Sequence, residues 1–174
     1  MRPLILLLVS CLVIAAGPAT AQEDYGGRTA ATPKLRFGLF GFAARAGIDF
    51  TGEDQLVLGY SLDLGDLYTE RVRMRALGEI GLGASGDTYV VGGELTYRLV
   101  PDGTLAVPYL GGGLGLYSQE GCGDVAGCPA LWLQFALGFE ISIRAPMRWL
   151  VEYHAEDSLS HHRFFVGLTT IRGR

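Results

Sequence analysis

The chain has 174 residues, enough for one domain, with 49% hydrophobic and only 18% charged residues. Its formal net charge is -4 and Lys34 is its single lysine, which excludes the basic footprint expected of a nucleic-acid-binding protein. Glycine is abundant, at 26 residues.

The N-terminus reads as a cleaved secretory signal over residues 1–21. Arg2 supplies the positive start, Leu4 to Ala16 the apolar run, and Ala19-Thr20-Ala21 the small-x-small step before Gln22. That run is too short to span a bilayer, which takes about 20 apolar residues. A retained anchor and a lipoprotein signal at Leu8-Val9-Ser10-Cys11 are the competing readings. Against the second, Leu12 to Ala16 continues the apolar run beyond the cysteine. Removing the signal leaves Cys122 and Cys128, a close pair that in an exported chain favours a disulfide. Residues 22–33 read as a polar, flexible lead-in, and 34–174 as the folded domain.

From Leu35 onward the apolar period is two. The first strand, Leu35 to Arg45, is the least regular: Phe37 and Leu39 share one face, Phe40 and Phe42 the other. A bulge near Gly38 or Gly41 reconciles them. In the second, Leu56, Leu58, Tyr60, Leu62 and Leu64 oppose Gly59, Ser61 and Asp63. In the third, Val72, Met74, Ala76, Ile80 and Leu82 oppose Arg71, Arg73, Arg75, Glu79 and Gly81. A helix would scatter those three arginines, whereas a strand puts them on one face. The fourth sets Tyr89, Val91, Leu95, Tyr97 and Leu99 against Glu94, Thr96 and Arg98. The fifth sets Leu110, Leu114 and Leu116 against Gly111, Gly113 and Gly115. The sixth sets Leu133, Phe135, Leu137, Phe139, Ile141 and Ile143 against Gln134, Gly138, Glu140, Ser142 and Arg144. The seventh sets Trp149, Val151 and Tyr153 against Glu152 and His154, and the eighth sets Phe164, Val166 and Leu168 against Gly167 and Thr169.

The expected fold is therefore all-β: eight antiparallel strands in an up-and-down transmembrane β-barrel. Gly65 to Thr69, Val100 to Gly103 and Ala145 to Met147 read as tight turns on one end. Ala46 to Glu53, Ser118 to Pro129 and Asp157 to His161 read as longer loops on the other, with Ser85-Gly86 as a short exception. Alternation alone fits a soluble barrel with an apolar interior as well. Two features turn the apolar face toward lipid. The strands match or exceed the ~9–11 residues that cross a bilayer. The polar face is also rich in glycine, as the narrow interior of an eight-stranded barrel requires. On this register six arginines (Arg36, Arg71, Arg73, Arg75, Arg98, Arg144) share the lumen with six carboxylates (Asp63, Glu79, Glu94, Glu140, Glu152, Glu156). Such a balanced set suits a packed, water-poor interior, because an unpaired buried charge costs several kcal/mol. Arginine suits it further, since its planar fork meets a carboxylate at two points.

Pro108-Tyr109-Leu110-Gly111-Gly112-Gly113-Leu114-Gly115-Leu116 resembles the Pro-Tyr-x-Gly-x-Gly-x-Gly strand of small outer-membrane barrels of the OmpA/OmpX type, over roughly Leu35 to Arg172. The resemblance implies a bacterial outer-membrane location, contact with outer-membrane lipid and insertion by the barrel-assembly machinery. One departure is the end, Ile171-Arg172-Gly173-Arg174, where such barrels commonly carry an aromatic residue.

Candidate sites lie at the loop end. Cys122 and Cys128 sit in the longest loop, where a disulfide would stiffen a surface tip, either for its own sake or to present it to an extracellular ligand. Together with His161 and His162 they could also supply four zinc ligands, but the spacing matches no known finger and export favours oxidation, so no metal and no cofactor is expected. His154, Ser158, His161 and His162, with Glu156, are the basis of an alternative. Some outer-membrane barrels are lipid A-modifying hydrolases with a His/Ser/acid set at this edge. The deacylase type carries a His-x-Ser step on the lipid side, whereas this chain reads Tyr153-His154-Ala155-Glu156-Asp157-Ser158. A serine nucleophile needs its base within hydrogen-bond reach. A narrow channel lined by Arg71, Arg73 and Arg75 is a further alternative. The expected role is that of a non-enzymatic barrel, structural or interacting through its outer loops, with a plugged lumen.

Overall fold

A computed structural model of the chain describes residues 35–50, 54–84, 86–101, 104–122, 128–144 and 146–171, without the Arg144 side chain. The expected signal peptide and lead-in, residues 1–33, lie outside these, and so does the Arg172-Gly173-Arg174 end.

Eight strands follow in chain order: β1 (Arg36–Asp49), β2 (Gln55–Asp66), β3 (Val72–Leu82), β4 (Thr88–Arg98), β5 (Ala106–Gln119), β6 (Ala130–Arg144), β7 (Met147–Glu156) and β8 (His161–Thr170). Each pairs antiparallel with the next, and β8 returns to β1 over Ala43↔Thr169 to Asp49↔Arg163. The sheet is a closed barrel in simple sequence order. Closure leaves no edge strand with unpaired backbone groups. The irregularity expected near Gly38 or Gly41 falls in β1, where pairing to β2 shifts between Phe37 and Gly41.

The two-residue period sorts side chains between two very different surroundings. Leu56, Leu58 and Tyr60 on β2, Leu110, Leu114 and Leu116 on β5, and Leu137 and Phe139 on β6 are all exposed on the outside. Arg45, Glu79, Glu94, Arg98, Glu152 and Arg163 are all buried inside. This inverts the arrangement of a water-soluble protein. An outside this apolar, continuous from strand to strand, has the chemistry of a lipid-facing belt.

Two glycines let side chains settle flat on the sheet. A Cβ at Gly138 would overlap the ring of Tyr109, its cross-strand partner inside the barrel. On the outer face Tyr60 lies over Gly78, where a Cβ would come within 2.7 Å of the ring. Aromatic cover of a strand glycine restores the contact that its missing side chain forgoes.

The loops differ from expectation. At the end away from the chain termini, called distal here, the connections are 50–54, 83–87, 120–129 and 157–160; at the terminal end they are 67–71, 99–105 and 145–146. The loop expected from Ala46 to Glu53 shrinks, because β1 runs on to Asp49, which pairs with Gln55 on one side and Arg163 on the other. Only the β5–β6 connection is long at the distal end. The β7–β8 turn is tight: Asp157, Ser158 and Leu159 have φ of 47°, 56° and 73° in succession. Three consecutive non-glycine residues in the left-handed region are uncommon and strained.

Candidate functional site

The lumen is filled by ionised side chains that reach across it. Arg45 on β1 donates to Glu79 on β3 at 2.6 Å and also to Glu152 on β7. Arg75 on β3 donates to Glu152 at 2.8 Å and lies 2.5 Å from Glu94 on β4. Tyr109 on β5 donates its hydroxyl to Glu152 as well. Arg163 on β8 donates to Asp49 at 3.0 Å and to Glu79 at 2.7 Å, and it lies 3.0 Å from Glu156. Most of these partners sit on strands that are not neighbours in the sheet, so the ion pairs span the interior. Arg45 also packs its guanidinium on Phe165, 4.6 Å from the ring centroid.

A second group lies toward the terminal end. Glu140 accepts from Arg98 and from Arg148, the latter at 3.1 Å, and Asp63 lies 3.7 Å from Arg73. Between the two groups is a void of about 20 Å³ bounded by Asp63, Arg73, Arg75, Arg98, Tyr109 and Glu140 among others. That is room for about one water. Apolar side chains complete the filling: Ala43 with Tyr109 and Leu150, and Leu77 with Val90 and Trp132.

The expected lumen set divides. Arg73, Arg75, Glu79, Glu94, Arg98, Glu140, Glu152 and Glu156 are buried inside, and Asp63 is nearly so. Arg71 is not: it is exposed in the β2–β3 turn, because β3 begins only at Val72 and the strand alternation does not reach it. Arg36 opens β1 with its side chain 54% exposed, 4.0 Å from Asp66. The Arg144 side chain lies outside the described residues. Arg45, Arg148, Arg163, Asp49 and Asp66 were absent from the expected lumen set but are buried. Their signal was the parity of each strand carried to its ends: Gly167 and Thr169 fix Phe165 and Arg163 inward, and Glu152 fixes Arg148.

Among the described buried side chains, Arg45, Arg73, Arg75, Arg98, Arg148 and Arg163 face Asp49, Asp63, Asp66, Glu79, Glu94, Glu140, Glu152 and Glu156, and Arg36 stands beside Asp66 at the terminal mouth. At the distal end Arg163 is shared by Asp49, Glu79 and Glu156, and Glu79 is held by Arg45 as well. Both oxygens of Glu94 and of Glu156 lie at ion-pair distance or beyond, without the alignment of a hydrogen bond.

The histidines and serine expected together at the last hairpin are separated. His154 is fully buried in the lumen, with its ring nitrogens 3.0 Å from Gln134 Nε2 and 3.3 Å from Arg45 Nη1. Ser158 is exposed in the turn. His161 faces inward, stacked on Trp132 with centroids 4.8 Å apart. His162 faces outward between Phe50 and Tyr153. The alternation assigns neighbours to opposite faces, so no Ser158–His154 pair forms. Glu79, His154 and Glu156 have ligand atoms within 4.8 Å of one another. The cation those carboxylates hold is guanidinium, from Arg45 and Arg163.

Cys122 and Cys128 stand at disulfide distance at the base of the β5–β6 connection, with Cα atoms 5.3 Å apart. Both thiols are thus engaged with each other and not with His161 or His162. At the distal end the lumen widens into a vestibule of about 470 Å³.

The closed eight-strand topology has solved counterparts. The N-terminal β-barrel domain of Pseudomonas aeruginosa OprF matches with a TM-score of 0.55 at 11% identity, over 76% of this chain and 98% of that one. This chain shares that fold, a closed eight-stranded antiparallel β-barrel. Neisserial surface protein A matches this barrel with a TM-score of 0.54 at 13% identity, over 75% of this chain and 94% of that one. A de novo designed transmembrane β-barrel matches it at 0.51 and 15% identity, over 79% and 98%. No family model and no curated protein sequence matches the chain.

Proposed function

We propose that the protein is a non-enzymatic integral barrel of the bacterial outer membrane. Its lumen is plugged by the arginine–carboxylate network, and it acts as a structural element or interacts through its distal connections, the Cys122–Cys128 segment first among them. It is exported by a cleaved signal peptide and inserted by the barrel-assembly machinery, with outer-membrane lipid against its belt. The observation that carries this reading is the crossed set of ion pairs centred on Arg45 and Glu152, whose side chains are fully buried and tie β1, β3 and β7 together across the interior. An ionic brace of this kind occupies the volume that a conducting path would need, and eight strands leave little to spare. A hydrolase built on Ser158 and His154 lacks the contact between nucleophile and base that such chemistry needs.

Single-protein conductance in a planar lipid bilayer tests the plug. The expected trace has no steps above the bare-membrane baseline. Regular ohmic steps from the folded barrel would overturn the plugged reading in favour of a narrow channel.

A further inference from the structure

The distal vestibule differs from the rest of the lumen in being open and acidic with aromatic walls. It is lined by Asp49, Asp87, Glu120, Tyr117, Trp132 and His161, among others, over Arg163. Tyr117 stacks on Trp132 with centroids 3.9 Å apart and His161 stacks on Trp132 at 4.8 Å, a three-ring ladder whose central ring also has the Arg163 guanidinium 5.9 Å from its centroid. Such volume lies in the range of small-ligand sites, and the mouth of a barrel is a common place for one.

Charge decides the class of ligand. Arg163 forms the cationic part of the vestibule floor, but it is already shared by Asp49, Glu79 and Glu156. Glu156, 1% exposed below the cavity, lies 3.0 Å from Arg163 and 3.8 Å from His154. On the walls Asp87 and Glu120 add two carboxylates, which among the described residues have no ion-pair partner. A concave, low-dielectric mouth concentrates that negative field outward along its axis. Aromatic rings beside carboxylates suit a cation with an apolar body, since ring faces attract cations and the body gains by leaving water. A bare metal ion would make no use of the rings.

We propose that the distal vestibule binds a small organic cation, a primary amine or amidine on an aromatic or apolar body. Asp87 and Glu120 take the charge, and the Tyr117–Trp132–His161 ladder takes the body. This rests only on the barrel and its open distal end, not on any role of the β5–β6 segment or on the plug below.

The chain carries its own probe, because it has two tryptophans and Trp149 faces outward, remote from the ladder by strand parity. In full-length Trp149→Phe protein, folded in detergent, Trp132 emission is titrated with benzylamine and with benzyl alcohol, its uncharged counterpart. The expected result is a saturable change with benzylamine and affinity for benzyl alcohol about tenfold weaker or worse, the ratio that one modest charge contact supplies. Adding Asp87→Asn and Glu120→Gln should weaken benzylamine by a similar factor and leave benzyl alcohol unchanged. Unboiled gel mobility confirms that each variant is folded. Equal binding of the two probes, no saturable response from folded protein, or insensitivity to the double substitution would overturn the proposal. Tighter binding of methyl glucoside or of calcium ion than of benzylamine would also overturn it, in favour of a sugar or metal site.

Discussion

Glu152 is the residue on which the interior turns. It accepts from Arg45, Arg75 and Tyr109, three side chains from three strands, with no exposure to solvent. Burying ions costs much of what their attraction returns, so the network is weak evidence of net stability. Removing one partner is a different matter, since Arg45 and Arg75 would each lose one of two buried carboxylates, keeping Glu79 and Glu94, and the buried Tyr109 hydroxyl would lose its acceptor. Glu152→Ala should therefore lower stability by about 3–5 kcal/mol. Urea unfolding of the barrel in lipid vesicles measures this. A change within about 0.5 kcal/mol, the range of an ordinary surface substitution, would mean that water reaches the network and the lumen is not packed.

At the scale of single strands and loops, the outer face of β6 separates a lipid-facing belt from a soluble surface. Leu137 is exposed there, opposite Leu110 on β5 and Tyr153 on β7. On a water-facing sheet Leu137→Arg would be neutral or helpful. In a bilayer it should cost about 2–4 kcal/mol if Leu137 lies near the midplane, read from the same urea transition. The β5–β6 connection should behave independently of the strands. Its disulfide closes a sequence separation of only 6 residues, for which chain entropy supplies about 2 kcal/mol at most. Cys122→Ser with Cys128→Ser should then leave heat-modifiable mobility intact; loss of the folded band would show that the loop holds the barrel together. The strands themselves were legible in the sequence because their period survives even where single positions break it. Val57, Leu77 and Val90 are apolar yet point inward, and the flanking alternation still sets the face. Strand ends were less legible. Arg71 continues the arithmetic of β3 but lies in a turn, and Asp49 reads as loop but extends β1, because hydrogen bonding to two neighbours decides where a strand stops. The cross-lumen partners were not legible at all. Which guanidinium meets which carboxylate depends on stagger around the barrel, and that is a property of closure rather than of any one strand.

For the whole molecule, the apolar exterior, the ionic interior and the closed sheet require one another. Eight strands fix a narrow lumen, and that lumen admits glycine and tightly paired long side chains. The charges placed there leave aliphatic and aromatic residues to the outside, which is a stable surface only against lipid. The arrangement is asymmetric along the barrel axis. Toward the terminal end Glu140 ties Arg98 to Arg148, while the distal end holds the vestibule. The most direct test of the account is gel mobility of unboiled and boiled protein recovered from washed outer membranes. The protein should stay with the membrane fraction and migrate faster unboiled, as a compact barrel does, than after boiling. Recovery in the soluble periplasmic fraction, with no difference between the two samples, would contradict it.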